Sequence, residues 1–241
     1  MALAFKLALA PVLVAQAVAT RRRAPVLPEA DGPRVGTLSG EGEPVRVLIA
    51  GDSSAAGVGV DHQDRALAGH FSRALQRQAR RPVHWRLHAR TGLTTRQVHE
   101  LLQLEAAGDR ADVAVVVTGV NDVIDLVPPR RAVAHRAALA DWLLGDGHAV
   151  HVVFAPLPPV HRFPLLPQPL RRVMGDDARA HDDAMARWAA TRRDVSHVPI
   201  PIELGPENMA RDGFHPGEPV YRVCGEALAA HVAALTTKGR R

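Results

Sequence analysis

Residues 45–54, Val-Arg-Val-Leu-Ile-Ala-Gly-Asp-Ser-Ser, decide how the rest of the chain is read. Val45–Ala50 is apolar at every position except Arg46 and stops at Gly51, the pattern of a strand buried on both faces of a parallel sheet. Such a strand needs crossover connections, so helices should alternate with further strands. Downstream, Arg65–Arg80 carries Leu67, Phe71, Leu75 and Ala79 at fourfold spacing, which predicts an amphipathic helix. Val83–Ala89 reads as a second strand, Thr94–Leu104 as a helix opened by a capping threonine, and Val113–Val117 as the most apolar strand. Pro129–Leu144 is a helix with proline at its start and Gly145 and Gly147 past its end. Ala149–Phe154 is a fourth strand, Leu170–Arg193 a polar helix, and Val195–Ile202 holds a short fifth strand. A last helix runs from Pro216 to Thr236, with Val223, Ala227, Leu228 and Val232 on one face. The alternation implies right-handed crossovers and a parallel sheet covered on both faces, with its ligand crevice beyond the carboxyl ends of the strands.

Composition sets the outer bounds. A chain of 241 residues, 46% apolar and 23% charged, can bury a full core and excludes wholesale disorder or a polytopic membrane protein. The single cysteine, Cys224, excludes a disulfide framework and a cysteine-rich zinc site, and it reads as a small core residue of the last helix. The net charge of +5 invites a nucleic-acid partner until it is located. Lys6, Arg21, Arg22, Arg23, Lys238, Arg240 and Arg241 lie at the two ends, leaving 23 basic and 24 acidic residues in the body. That body has no basic excess for phosphate contacts, so no nucleic-acid partner is expected.

Residues 1–23 are apolar apart from a few positions and end on Arg21-Arg22-Arg23. The apolar run Leu7–Ala19 is short for a spanning helix and contains Pro11. A cleaved export signal is one reading, but arginines just past the apolar run oppose it. A helix lying on a membrane surface, its basic end toward anionic headgroups, is the favoured reading, and a packed terminal helix is the third. Membrane-associated or cytoplasmic placement is therefore expected over export. Residues 24–44 are rich in Pro and Gly and read as a linker, and residues 45–236 as the functional domain.

The crevice rule selects candidates for chemistry. The strand ends and the segment before the last helix carry Gly51-Asp52-Ser53-Ser54, Ala89-Arg90-Thr91-Gly92, Gly119-Val120-Asn121-Asp122 and Asp212-Gly213-Phe214-His215. Any one of these is ordinary turn chemistry. Together they supply the parts of an acyl-transfer site. Ser53 is a weak nucleophile until a base takes its proton, and His215 is that base. Asp212, three residues earlier, can turn back to fix the imidazole tautomer. Ser53 N–H, Gly92 N–H and the Asn121 amide can meet a developing oxyanion.

These four blocks, in this order, resemble the SGNH hydrolase superfamily, the GDSL esterases and lipases. The resemblance spans roughly Val45 to Ala234. It implies an α/β, three-layer α/β/α sandwich with a five-stranded parallel sheet, a flavodoxin-like arrangement. It also implies Ser53 as nucleophile, His215 as base, Asp212 as its orienting acid, and Ser53, Gly92 and Asn121 as the oxyanion hole. The first block reads Gly-Asp-Ser-Ser where the family's name has Leu, so Ser54 is a conceivable rival nucleophile.

The expected function is thus a serine hydrolase of carboxylic esters, with a small-molecule or lipid-like substrate and no cofactor. The alternative is a non-catalytic ligand-binding domain on the same fold. The proline-dense stretch Ala155–Pro169 follows the fourth strand, and its Phe163, Leu165 and Leu166 could line an acyl pocket or simply cover the sheet edge. His148 and His151 read as structural histidines, and no metal is expected. Asp176, Asp177, Asp182 and Asp183 read as a solvated helix face with ion pairs to nearby arginines. Oligomeric state is left open by the sequence.

Overall fold

The computed structural model describes residues 3–145 and 148–238. Met1, Ala2, Gly147, Arg240 and Arg241 of the sequence reading lie outside them. The chain begins with helix α1 (Leu3–Arg23) and strand β1 (Val35–Leu38), followed by β2 (Val45–Gly51) and the short α2 (Ser53–Ala56). Then come α3 (Leu67–Ala79), β3 (Val83–Ala89), α4 (Thr95–Glu105), β4 (Val113–Val117) and α5 (Val120–Ile124). The order closes with α6 (Pro129–Gly145), β5 (His151–Phe154), α7 (Leu170–Ala189), β6 (Val195–His197) and α8 (Glu218–Lys238).

The sheet order is β1-β3-β2-β4-β5-β6. The five strands from β3 to β6 pair parallel, as the alternation predicts. The sixth is a difference: β1 pairs antiparallel with β3, Val35 opposite Arg86 and Leu38 opposite Val83. It falls inside residues 24–44, where Pro and Gly read as a linker; four residues, one of them Gly36, are too short a run to announce a strand. Strand order reverses between β2 and β4, whose neighbours lie on opposite sides, and a crevice opens at such a switch point.

The period of two along β2 feeds two cores. Val45, Val47 and Ile49 pack with Leu67, Phe71 and Leu75 of α3 and with Tyr221, Leu228 and Val232 of α8. Leu48 and Ala50 face the opposite layer, with Val98 and Leu102 of α4, Leu139 and Leu143 of α6 and Met185 of α7. This is the three-layer sandwich. The capping threonine is in place: Thr94 forms a capping box with Gln97.

Helix α1 lies against α7, with Leu13 on the core and Gln16 bonded at both ends of its amide. Gln16 Nε2 donates to Gln168 O at 2.6 Å, and Leu170 N–H donates to Gln16 Oε1 at 3.1 Å. Leu7, Val12, Val14 and Val18 of this helix are exposed. Among the described residues no helix is long and apolar enough to cross a membrane.

Candidate active site

Ser53 opens α2 directly after β2. Asp52 caps that helix, its Oδ1 accepting Ser54 N–H at 3.0 Å. The other half of the site comes from a turn before α8. Asp212 Oδ1 accepts Phe214 N–H at 2.9 Å and His215 N–H at 3.0 Å, with Gly213 at φ 64° completing the bend. The turn delivers the imidazole between the other two groups. His215 Nδ1–H donates to Asp212 Oδ2 at 2.5 Å, which leaves Nε2 as the acceptor 3.1 Å from Ser53 Oγ. Phe214 packs edge-on against His215 and against Phe163, with ring centres 5.2 and 5.0 Å apart.

The two aspartates respond differently to burial. Burial alone raises the Asp212 carboxyl, but the hydrogen bonds from the His215 ring and from the His215 and Phe214 N–H groups outweigh it and hold the group below its ordinary value. At Asp52 burial prevails over the Ser54 N–H, the His215 charge and the Gly119 N–H, and the carboxyl is pushed up to about 7.

Of the remaining sequence candidates, Asn121, Ser54 and Phe163 line the cleft beside this row, and Gly92, Leu165 and Leu166 do not. Gly92 sits in the exposed turn after β3 at φ 84°, facing open space. Asn121, on α5 after β4, lines the cleft and donates from Nδ2 to Leu93 O at 3.0 Å. One amide hydrogen thus ties α5 to the Gly92–Leu93 turn, and the second is left for the cleft. Ser54 also lines the cleft, but Ser53 is the hydroxyl in contact with His215. Phe163 lines the cleft as well. Leu165 and Leu166 do not join it there: Leu166 is buried in the core, and Leu165 N–H donates to Gly213 O at 3.0 Å. Beyond Phe163, the apolar wall is built by Ile202, Leu204, Met209, Phe214 and Val220. Most of these lie in the irregular segment between β6 and α8, where no periodicity signals them.

Beneath the cleft lies a buried network that the sequence reading passed over. Asp122, fully buried, accepts Thr95 N–H at 3.1 Å and Thr95 Oγ–H at 2.5 Å, and its Oδ2 is 3.5 Å from Arg136 Nη2, also fully buried. Burial lowers the Arg136 guanidinium from its ordinary value, against the charges of Asp122, Asp182 and Asp52. Gly119 has to be glycine here. Its φ is 133°, and a Cβ would stand 2.3 Å from Arg136 Nη2. A signal existed: Ala132, Arg136, Leu139, Ala140 and Leu143 form the buried stripe of α6, and one arginine interrupts it.

Asp182 is not part of a solvated face. It turns inward, accepting Leu157 N–H at 2.8 Å with His197 Nε2 at 3.0 Å, because α7 packs beside the end of β5. His148 stacks on Trp142 with centroids 4.3 Å apart, and His151 Nε2 pairs with Ser196 Oγ at 2.8 Å. No group of three or more His, Cys, Asp or Glu able to hold a metal occurs among the described residues. Cys224 borders the cleft, half-buried, and burial pushes its thiol up to about 12, which disfavours the nucleophilic thiolate.

Comparison with known proteins gives one family. The GDSL-like lipase/acylhydrolase family matches residues 49–223. No curated protein matches the chain by sequence. Solved structures share its fold at low identity. A lipase from a goat rumen metagenome is 15% identical with a TM-score of 0.64, covering 77% of this chain and 96% of its own. The inhibitor-bound aryl esterase of M. smegmatis is 18% identical with a TM-score of 0.63, covering 79% and 99%. A lipase/acylhydrolase from Enterococcus faecalis is 16% identical with a TM-score of 0.60, covering 79% and 96%.

Proposed function

The chain belongs to the GDSL-like lipase/acylhydrolase family, and from that premise we propose that it is a serine hydrolase cleaving carboxylic esters through Ser53, His215 and Asp212. One observation carries the reading: the unbroken row Ser53 Oγ, His215 Nε2, His215 Nδ1, Asp212 Oδ2, with spacings of 3.1 and 2.5 Å, at the mouth of an apolar cleft. In this reading residues 45–236 form the hydrolase domain.

Ser53 Oγ attacks the acyl carbon as its proton passes to His215 Nε2, and the carbonyl π-electrons move onto oxygen. Asp212 stabilises the imidazolium. Ser53 N–H, Gly92 N–H and the free Asn121 amide hydrogen meet the oxyanion. When the intermediate collapses, the C–O bond to the alcohol breaks and the alcohol takes the proton from Nε2. Water then attacks acyl-Ser53, giving its proton to His215. The second collapse releases the carboxylic acid and returns the proton to Ser53. The apolar wall of Phe163, Ile202, Leu204 and Met209 suits an apolar acyl chain.

Turnover of p-nitrophenyl esters of graded chain length tests this. Ser53→Ala should abolish turnover while Ser54→Ala keeps most of it; the reverse result reassigns the nucleophile.

The substrate side extends to a membrane surface. Exposed Leu7, Val12, Val14 and Val18 suit the acyl boundary and the basic run Arg21–Arg23 the anionic headgroups, and Gln16 fastens the helix to Gln168 and Leu170, at the end of the proline-dense stretch that carries Phe163. The full-length protein should sediment with phosphatidylcholine vesicles containing phosphatidylglycerol and less with phosphatidylcholine alone. Equal failure to bind both would remove the membrane from the account.

A further inference from the structure

The stretch before β1 carries side chains that reach the site from outside the matched family region. Glu29 Oε1 accepts both Thr91 N–H at 2.6 Å and Thr91 Oγ–H at 2.8 Å. Its other oxygen pairs with Arg34 Nη2 at 2.5 Å, and Arg34 Nη1 donates to Ala89 O at 2.6 Å. The two residues therefore grip the turn after β3 on both sides, at Ala89 and at Thr91. The next residue is Gly92.

The arm that presents Glu29 is itself seated. Ala30 N–H donates to Ala56 O at 3.2 Å, at the end of the Ser53 helix, and Asp31 N–H donates to Asp61 O at 3.0 Å. Buried Gln63 Nε2 donates to Ala30 O at 3.2 Å and Ala56 O at 3.0 Å. Gly57, at φ 82°, leaves room for Ala30: a Cβ there would stand 2.7 Å from the Ala30 methyl. Leu87 N–H, on β3, donates to Arg34 O at 2.8 Å. The carboxylate is thus anchored to the segment that carries Ser53 and to the strand that leads to Gly92.

We propose that Glu29 is a positioning residue for the oxyanion hole: ion-paired with Arg34, it fixes Thr91 and so aims the Gly92 N–H at the acyl oxygen. Gly92 needs such a device. It lies in an exposed turn with open space around its Cα, and glycine supplies no side chain to hold its own peptide plane. Burial raises the Glu29 carboxyl, but Thr91 and Arg34 outweigh it and hold the group below its ordinary value, so the grip is that of a carboxylate at neutral pH. The opposite donor is tied in from the other side, through Asn121 Nδ2 to Leu93 O. Gly92 is thereby clamped between an arm residue before it and α5 after it.

The inference rests on the serine-hydrolase reading, so the test reports on each separately. Steady-state kinetics of the full chain on p-nitrophenyl acetate compare wild type with Ser53→Ala, Glu29→Ala, Glu29→Gln, Arg34→Ala and Glu41→Ala. Glu29→Ala should lower kcat about 10- to 100-fold with KM within about twofold, the signature of a donor misplaced in the transition state alone. Glu29→Gln keeps an acceptor for Thr91 and should recover most of that loss. Adding Arg34→Ala to Glu29→Ala should bring little further loss, since the pair acts as one unit. Glu41→Ala, in the connection between β1 and β2, should match wild type. Thr91→Val removes one donor at an exposed position and gives a smaller kcat loss, a second measure that does not depend on Glu29→Ala folding. Unchanged kcat in Glu29→Ala and Thr91→Val overturns the clamp, as does a rise in KM alone. If wild type and Ser53→Ala turn over equally, the hydrolase reading itself fails and the clamp falls with it.

Discussion

The two turns that meet at Ser53 Oγ begin alike and end differently. Gly51–Ser54 and Asp212–His215 each hold a buried aspartate, 3% and 5% exposed, whose Oδ1 accepts the N–H two residues on. The difference lies in what else each carboxylate meets. Asp212 Oδ2 receives the Nδ1–H of His215, and the group stays below its ordinary value. Among the described residues Asp52 has no side-chain donor of that kind to offset burial, and its carboxyl is pushed up to about 7. One turn keeps a charge beside an imidazole; in the other, burial works against the charge of the helix cap. Nearness to Ser53 therefore does not assign an aspartate to the chemistry. The proposed role of Asp212 rests on the partner of its second oxygen, the His215 ring.

The comparison is broken most directly at Asp212. Asp212→Asn keeps the shape but loses the carboxylate that fixes the tautomer, and kcat on a p-nitrophenyl ester should fall about 10³- to 10⁴-fold. A loss below tenfold would make Asp212 a turn residue like its counterpart. Asn121→Ala removes the proposed oxyanion donor and should lower kcat by about 10²–10³, with KM little changed. An unchanged kcat would leave that amide only the bond to Leu93. Asp52→Asn preserves a side-chain acceptor of nearly equal capping strength, so kcat should drop by less than about tenfold. A drop matching that at Asp212 would collapse the distinction.

The smallest effect is on stability with pH. In the unfolded chain Asp52 ionises near pH 4, whereas in the fold it stays protonated up to about 7. Between those values the folded state holds more protons, so this group makes stability fall as pH rises. Asp212 acts in the other sense: its contribution is complete above the unfolded value and drains away only as pH falls through the lowered folded value. Asp52→Asn removes the first effect alone. Its melting temperature relative to wild type should be higher at pH 8 than at pH 5, and an equal difference at both would show Asp52 ionised throughout.

What the sequence made legible follows from short-range physics. Val45–Ala50 and Val113–Val117 read as buried strands because they are buried on both faces, and the α3 stripe of Leu67, Phe71 and Leu75 because one face of the helix is. Ser53, Gly92 and Asn121 stand out by their place at strand ends, and Asp212 and His215 by theirs before the last helix. Strand β1 escaped because four residues pairing with a distant edge leave no local pattern. Glu29 and Arg34 escaped with it, since a carboxylate in a Pro- and Gly-rich stretch reads as solvated until its partners on β3 and the following turn are known. Arg136 was hidden by its ordinary charge, and only the apolar stripe around it marks it as buried. Asp182 misled for the same reason: alternating Asp and Arg on a helix gives no sign that one aspartate faces a loop N–H.

The central claim is that Ser53 Oγ is the group activated by His215. Incubation of the full-length protein with a fluorophosphonate probe, followed by digestion and mass spectrometry, tests it directly. The account predicts a single phosphonyl adduct on Ser53, lost in Ser53→Ala and in His215→Ala and retained in Ser54→Ala. An adduct on Ser54, or one that persists on Ser53 at full rate without His215, would contradict it.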